Sequence, residues 1–348
     1  MTHIVIVAGG TGGHLAPGIA VAEALQKLAA RVSWLAASAR DRDFVCAKMA
    51  LPPEVVIVPY HAPRGVLGLL RLPFAVLRAL GVLWKLRPRA VVGFGGFASV
   101  PGALAAKLLR LPLVIHEQNA VAGRANRLLS RYASRVLASY ADAPPQSVHV
   151  GNPVGRVFAK TPPPQKRYAG RSGPLNILVL GGSQGAEALD RIVPLALARA
   201  HVEVRVLHQC AVGNKMRAEK NYLSCADARV RVVEFVDDVA AQMANADLLV
   251  CRAGASTLAE AAAVGVACFL IPYPHAADDH QVANAGFFAA AEAGVCSGQD
   301  IAESALAMFL QESARGRLLR MAMSARRLAK PNAAAEAAEV CMEVAGAL

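Results

Sequence analysis

Ile4-Val5-Ile6-Val7-Ala8-Gly9-Gly10-Thr11-Gly12-Gly13 and Asn176-Ile177-Leu178-Val179-Leu180-Gly181-Gly182-Ser183-Gln184-Gly185 are two spellings of one pattern. Each is a short apolar run that stops at a glycine pair, a hydroxyl residue and a further glycine. Such a run reads as a strand buried on both faces, and the glycines as the turn that ends it. Residues 17–29 follow the first copy with helical spacing, with Pro17 expected in the first turn. Further apolar runs at 32–37, 55–59, 90–94, 113–116 and 135–139 alternate with helical stretches. The same rhythm restarts after 176, with runs at 203–208, 230–235, 247–251 and 267–271. Alternation of this kind predicts parallel sheets covered by helices on both faces. Two such halves predict two doubly wound Rossmann-like α/β domains facing each other across a cleft.

At 348 residues the chain is long enough for two domains. A linker is expected over Thr161–Pro174, rich in proline, glycine and charge. The domain boundary is expected near 154/155. The tail from 314 is helical and broken at Pro331, so residues 332–348 are expected to cross back to the first domain.

Composition narrows the function. The chain is 55% hydrophobic and 18% charged, which excludes a disordered protein. Its net charge is +12. Residues 1–160 carry 19 Lys and Arg against 6 acidic residues, and residues 161–348 carry 18 against 19. The basic half should therefore meet something acidic. Aromatics are 5% of the chain and no basic run is interleaved with them, so nucleic acid is not the expected partner. Seven scattered cysteines without a CxxC pair read as reduced thiols, and no signal peptide is evident.

The glycine loops carry the candidate chemistry. In Gly9–His14 the backbone can approach an anion, and the following helix N-terminus offers unpaired N–H groups; a tight turn without ligand is the plainer alternative. The loop lacks the third glycine of a dinucleotide fingerprint and the Gly-Lys-Ser/Thr of a P-loop. His14 at its end is a candidate catalytic base or a phosphate-positioning group. The turn Arg252–Glu260 repeats the same logic after a strand, with Glu260 one turn into a helix, able to accept from a ribose diol. His275 and His280 are five apart and no HExxH occurs, so no metal site is expected.

Residues 64–88 are apolar but broken by Arg71, Pro73, Arg78 and Lys85. The three basic residues recur every seven positions and share a helical stripe with Phe74, Leu77 and Trp84 beside it. This pattern predicts an amphipathic helix at an anionic membrane surface, with a core helix as the alternative.

Seven motifs, in this order, resemble the bacterial undecaprenyl-diphospho-muramoylpentapeptide N-acetylglucosaminyltransferase (MurG) family. They are Gly9–His14, Gly93-Phe94-Gly95-Gly96-Phe97, His116-Glu117-Gln118-Asn119, Gly151-Asn152-Pro153-Val154, Gly181–Gly185, Arg252-Ala253-Gly254-Ala255, and Asp279-His280-Gln281 with Asn284. The resemblance implies a GT-B fold and an inverting transfer of N-acetylglucosamine from UDP-N-acetylglucosamine to the 4-hydroxyl of undecaprenyl-diphosphate-linked muramoyl-pentapeptide, without a required cofactor or metal. It implies an enzyme peripheral to the cytoplasmic face of the cell membrane, with the anionic leaflet and other cell-wall synthesis proteins as partners.

By motif, Thr11, Gly12 and Gly13 would contact the sugar nucleotide or the acceptor diphosphate, and Asn119 the donor sugar. Ser183 and the turn of Gly254, Ala255, Ser256 and Thr257 would hold the diphosphate, and Gln184 and Leu258 would be further substrate-binding residues. Val236 would meet uracil through its backbone, Glu260 the ribose, and Gln281 the sugar, with Asn284 alongside. The family continues Gly-Asn-Pro-Val with arginine; here Gly155 intervenes and Arg156 stands one position late as the donor contact. His280 also replaces a commoner glutamine. The alternatives are another GT-B glycolipid glycosyltransferase, a UDP-sugar epimerase, and a non-catalytic membrane-surface scaffold.

Overall fold

A computed structural model describes residues 1–60, 65–141, 143–182 and 185–347, the side chains of 65–69 and 277 excepted. The chain divides into two compact units, Met1–Gly155 with Lys330–Leu348, and Arg156–Ala329.

The first unit is built on seven parallel strands: β1 (His3–Val7), β2 (Arg31–Ala36), β3 (Glu54–Ile57), β4 (Ala90–Gly93), β5 (Leu113–Glu117), β6 (Arg135–Ala138) and β7 (Val148–His149). Their order is β3-β2-β1-β4-β5-β6-β7. Every residue of β1 is buried because helices cover both faces of the sheet. Ile4 and Ile6 join the core beneath helix Gly12–Lys27, and Val5 and Val7 join the opposite core beneath helices Gly65–Leu86 and Val100–Leu108. The terminal helix Ala333–Val344 packs against Gly12–Lys27 within this unit, through Ala337, Ala338, Cys341 and Met342.

The second unit holds six parallel strands: β8 (Leu175–Leu180), β9 (Val204–Gln209), β10 (Ala228–Val233), β11 (Leu248–Cys251), β12 (Ala267–Leu270) and β13 (Gly294–Cys296), in the order β10-β9-β8-β11-β12-β13. Ile177 and Val179 face one core, Leu178 and Leu180 the other. Both sheets therefore reverse strand order once, between β1 and β4 and between β8 and β11. Ligands of open α/β sheets bind at the carboxyl ends of the strands that flank such a reversal.

Two expectations are corrected. The first helix begins at Gly12, because the Thr11 carbonyl already accepts from His14 N–H at 3.1 Å and Leu15 N–H at 3.2 Å. Pro17 thus falls in the second turn. Thr161–Pro174 is not a solvated linker either. Pro164 and Tyr168 are buried, the Tyr168 hydroxyl donates to the Asp247 carbonyl at 2.9 Å, and Arg171 pairs with the fully buried Asp247 carboxylate at 2.8 Å. A buried carboxylate needs such partners, so proline and glycine punctuate a packed segment here.

Candidate active site

In the first unit the reversal point is formed by the loop after β1 and the loop after β4. Thr11 is extended at the N-cap, and its Oγ1 lies 3.0 Å from His14 Nδ1. The hydroxyl thereby fixes the imidazole one turn along the helix. Gly96, from the β4 loop, lies against the same ring: a Cβ there would stand 3.0 Å from His14 Cε1. The two glycine motifs thus converge on one histidine, and Thr11 and Gly13 remain exposed beside it, with Gly12 half-buried.

Asn119 is held by the carboxylate of Glu117, a residue of the same motif to which the sequence alone assigns no role. The Glu117 side chain, buried at the end of β5, accepts from Asn119 N–H at 2.9 Å and Asn119 Nδ2 at 3.1 Å. It also accepts from Gly123 N–H at 3.0 Å and Asn126 Nδ2 at 2.8 Å. Four donors on one carboxylate compensate its burial and fix the 119–126 loop. The signal for Glu117 was its place at the carboxyl end of a central strand.

His116, before it, points into the core. Its Nε2–H donates to the Gly151 carbonyl at 2.9 Å, and Gln118 Nε2 donates to its Nδ1 at 3.2 Å. Burial lowers its pKa from 6.5 to about 4, so it is neutral near pH 7. It ties the Gly151-Asn152-Pro153 motif to β5 as a structural strut.

In the second unit the reversal point brings the end of β8, with Gly181 and Gly182 after it, beside the turn after β11. Ser183 and Gln184 lie outside the described residues. Gly185, at φ +74°, passes so close to Ala211 that a Cβ would stand 2.2 Å from its Cα. After β11, Gly254 is the extended N-cap of helix Ala255–Val264, and the Leu258 amide is bonded to the Gly254 carbonyl at 3.0 Å. The amides of Ala255, Ser256 and Thr257 precede that first intrahelical bond and give the turn its anion-attracting end. Ser256, Thr257 and Glu260 are half-buried.

Two of the expected contacts have fully buried side chains. Leu258 is fully buried in the core and supports the turn from below. Asn284 is also fully buried; its Nδ2 donates to the Ala253 carbonyl at 3.1 Å, fastening the turn to helix His280–Ala290. The Val236 side chain is buried just after β10, leaving its backbone for any contact. Gln281 accepts from the Tyr273 amide at 2.9 Å. Arg252 binds inward, donating to the Ile271 and Pro272 carbonyls at 3.0 Å each and to Gln299 at 2.6 Å. Arg156 opens a four-residue helix at the start of this unit and is exposed. Among the described residues no group of three His, Cys, Asp or Glu side chains is gathered as metal ligands.

The expected amphipathic helix is present as Gly65–Leu86; Arg64, before it, lies outside the described residues. Ala75, Ala79 and Leu83 face the core beside helix Val100–Leu108. On the other side Phe74 is 75% exposed, Leu77 64% and Trp84 68%, with Arg71, Arg78 and Lys85 exposed among them. Among the described residues no helix is long and apolar enough to cross a membrane.

Comparison with known proteins agrees with this geometry. Residues 4–138 match the glycosyltransferase family 28 N-terminal domain, and residues 176–340 match the family's C-terminal domain. A UDP-N-acetylglucosamine–N-acetylmuramyl-(pentapeptide) pyrophosphoryl-undecaprenol N-acetylglucosamine transferase of Bordetella petrii is 44% identical over 98% of both chains. The protein of the same description from Burkholderia ambifaria strain MC40-6 is 44% identical over 99% of this chain and 96% of its own. The crystal structure of Acinetobacter baumannii MurG superposes with a TM-score of 0.83 at 33% identity, covering 99% of this chain and all of that one. The glycosyltransferase VinC in complex with dTDP shares the fold, with a TM-score of 0.66 at 15% identity over 99% of this chain and all of its own. The two doubly wound units, the motifs at both reversal points and these relatives agree: the chain belongs to glycosyltransferase family 28 and, within it, to the MurG family of N-acetylglucosaminyltransferases.

Proposed function

We propose that the chain transfers N-acetylglucosamine from UDP-N-acetylglucosamine to the 4-hydroxyl of undecaprenyl-diphospho-N-acetylmuramoyl-pentapeptide, with inversion at the anomeric carbon. The observation that carries this reading is the pair of glycine turns, one at the strand-order reversal of each sheet, in a chain of this family. Each turn opens a helix whose first amides suit a diphosphate.

In this reading the donor sits on the second unit. The turn at Gly254–Thr257 takes the UDP diphosphate, and its amides stabilise the charge that grows as the C1–O bond to UDP breaks. Glu260 accepts from the ribose hydroxyls, the Val236 backbone meets the uracil, and Ser183, Gln184, Arg156 and Gln281 complete the donor site. Leu258 and Asn284 act from beneath, by holding the turn. Asn119, oriented by Glu117, meets the donor sugar. The acceptor's diphosphate lies on Thr11, Gly12 and Gly13. His14 takes the proton of the attacking hydroxyl. That role needs Nδ1–H to donate to Thr11 Oγ1, which leaves the lone pair on Nε2. No metal or cofactor is required.

The exposed apolar and basic face of helix Gly65–Leu86 supports peripheral binding to an anionic leaflet, where the lipid acceptor resides. The cytoplasmic face of the cell membrane is the corresponding location, and proteins of cell-wall synthesis are the corresponding partners. The test is transfer of labelled sugar from UDP-N-acetylglucosamine to a short-chain lipid-diphosphate muramoyl-pentapeptide. A disaccharide product is expected; intact donor after exhaustive incubation would overturn the reading.

A further inference from the structure

Asp41 is placed where its sequence gives no reason to expect it. Ser38-Ala39-Arg40-Asp41 reads as a capping box, in which the fourth residue reaches back to the first residue's amide. Only half of that box forms. Ser38 Oγ accepts from Asp41 N–H at 3.2 Å. The Asp41 carboxylate instead turns to another element, and its Oδ1 accepts from the Gly10 amide at 3.2 Å. The side chain belongs to a residue only 4% exposed, and Oδ2 is buried with no hydrogen-bond partner among the described residues. Gly9 makes room for it: a Cβ at 9 would stand 2.8 Å from Oδ2. Gly10 sits at φ +90°, a conformation that an L side chain resists, with its amide turned to the carboxylate.

A buried carboxylate with one oxygen unsatisfied costs stability. The first turn of helix Ala39–Lys48 offsets part of that cost through its positive end. A cost retained at the base of a loop that meets ligand indicates that the loop's shape depends on it. We infer that Asp41 is a positioning residue: by holding the Gly10 amide inward, it shapes the turn that follows so that the amides of Thr11 and Gly12 meet the acceptor's diphosphate. This inference rests on the functional reading above, which gives that turn to the acceptor.

The test compares Asp41→Ala and Asp41→Asn in the full chain. The readouts are acceptor KM, kcat, UDP affinity by calorimetry, and amide hydrogen exchange over residues 9–14. Asparagine keeps an oxygen that can accept from Gly10; alanine does not. For Asp41→Ala the acceptor KM should rise about tenfold, as expected for a lost hydrogen bond to a charged group. Its kcat should stay within a few fold, UDP affinity should be unchanged, and exchange at 9–14 should quicken. Asp41→Asn should restore KM and exchange most of the way.

An Asp41→Ala enzyme with wild-type KM and exchange would overturn the inference. So would a folded Asp41→Asn enzyme whose KM is raised as much as that of the alanine variant, or a loss confined to UDP binding. If alanine prevents folding, the asparagine variant decides alone, because the inference requires it to fold and keep its KM. A wild-type chain that never glycosylates the acceptor would sink the functional reading and, with it, the assignment of this loop to the acceptor. A wild-type chain that turns over while Asp41→Ala keeps its KM sinks only the inference.

Discussion

Gly96 lies against the imidazole of His14, close enough that a Cβ at 96 would stand 3.0 Å from Cε1 and 3.2 Å from Nδ1. With φ at +70°, Gly96 also occupies a conformation that an L side chain resists. Gly96→Ala should therefore push the ring off the Thr11 hydroxyl and cost about 1 kcal/mol of stability. If His14 is the base, kcat should fall at least tenfold while UDP affinity is kept. Steady-state kinetics with denaturant unfolding would check this; a variant with wild-type kcat would remove Gly96 from the site.

His14→Ala should lower kcat by roughly 10²–10⁴, the usual worth of a positioned base. Thr11→Val, which removes the partner of Nδ1 but keeps the ring, should fall between that variant and wild type. A raised acceptor KM with intact kcat would instead make His14 a phosphate-positioning group.

Glu260→Ala should weaken UDP binding by roughly 1.5–3 kcal/mol, because the ribose loses a charged acceptor. Calorimetric titration with UDP measures it directly. An unchanged affinity would exclude Glu260 from the donor site.

Replacing Arg71, Arg78 and Lys85 together by Glu should leave the fold intact, since all three side chains are exposed. Each basic residue at an anionic leaflet is worth about 1 kcal/mol, so vesicle partitioning should fall about a hundredfold or more. The difference should shrink as salt rises. Transfer to a soluble short-chain acceptor should survive, and transfer to acceptor in vesicles should fall. Full co-sedimentation of the folded variant would move the membrane contact elsewhere.

His116 makes stability depend on pH. Its folded pKa lies at about 4, below the ordinary 6.5, because burial disfavours the charged ring. The unfolded chain therefore takes up a proton near pH 6.5 that the folded chain refuses. Stability should be full above that range, fall as pH drops from 6.5 towards 4, and level off below, by about 3 kcal/mol in all. His116→Asn should lower stability at pH 7.5 and flatten this fall. Denaturant midpoints at pH 7.5 and 4.5 would show it; equal slopes in both proteins would refute the assignment.

Much of this was open to a reader of the sequence because backbone demands have local signatures. A strand covered on both faces must be continuously apolar, and a chain that turns at its end next to an anion needs glycine there. Ile4–Gly13 and Asn176–Gly185 satisfy both conditions, so the doubly wound halves follow from them. The stripe of Arg71, Arg78 and Lys85 is equally local, since helical period alone places the three on one side.

What the tertiary structure decided concerns side chains brought together from distant segments. Nothing in Ser38–Asp41 announces that its carboxylate will leave its own helix cap for Gly10, thirty-one residues earlier. The local alternative, a capping box, is chemically just as good. Glu117 became the holder of Asn119 only once Gly123 and Asn126 curled back onto it. Leu258 and Asn284 stand in motifs beside proposed contact residues, and only packing shows that they support the turn from inside. Thr161–Pro174 has the composition of a linker, yet it is ordered by Asp247, a carboxylate more than seventy residues away that needed partners for its buried charge. Period and turn chemistry are written along the chain. The satisfaction of a buried polar group depends on which segments the fold brings beside it.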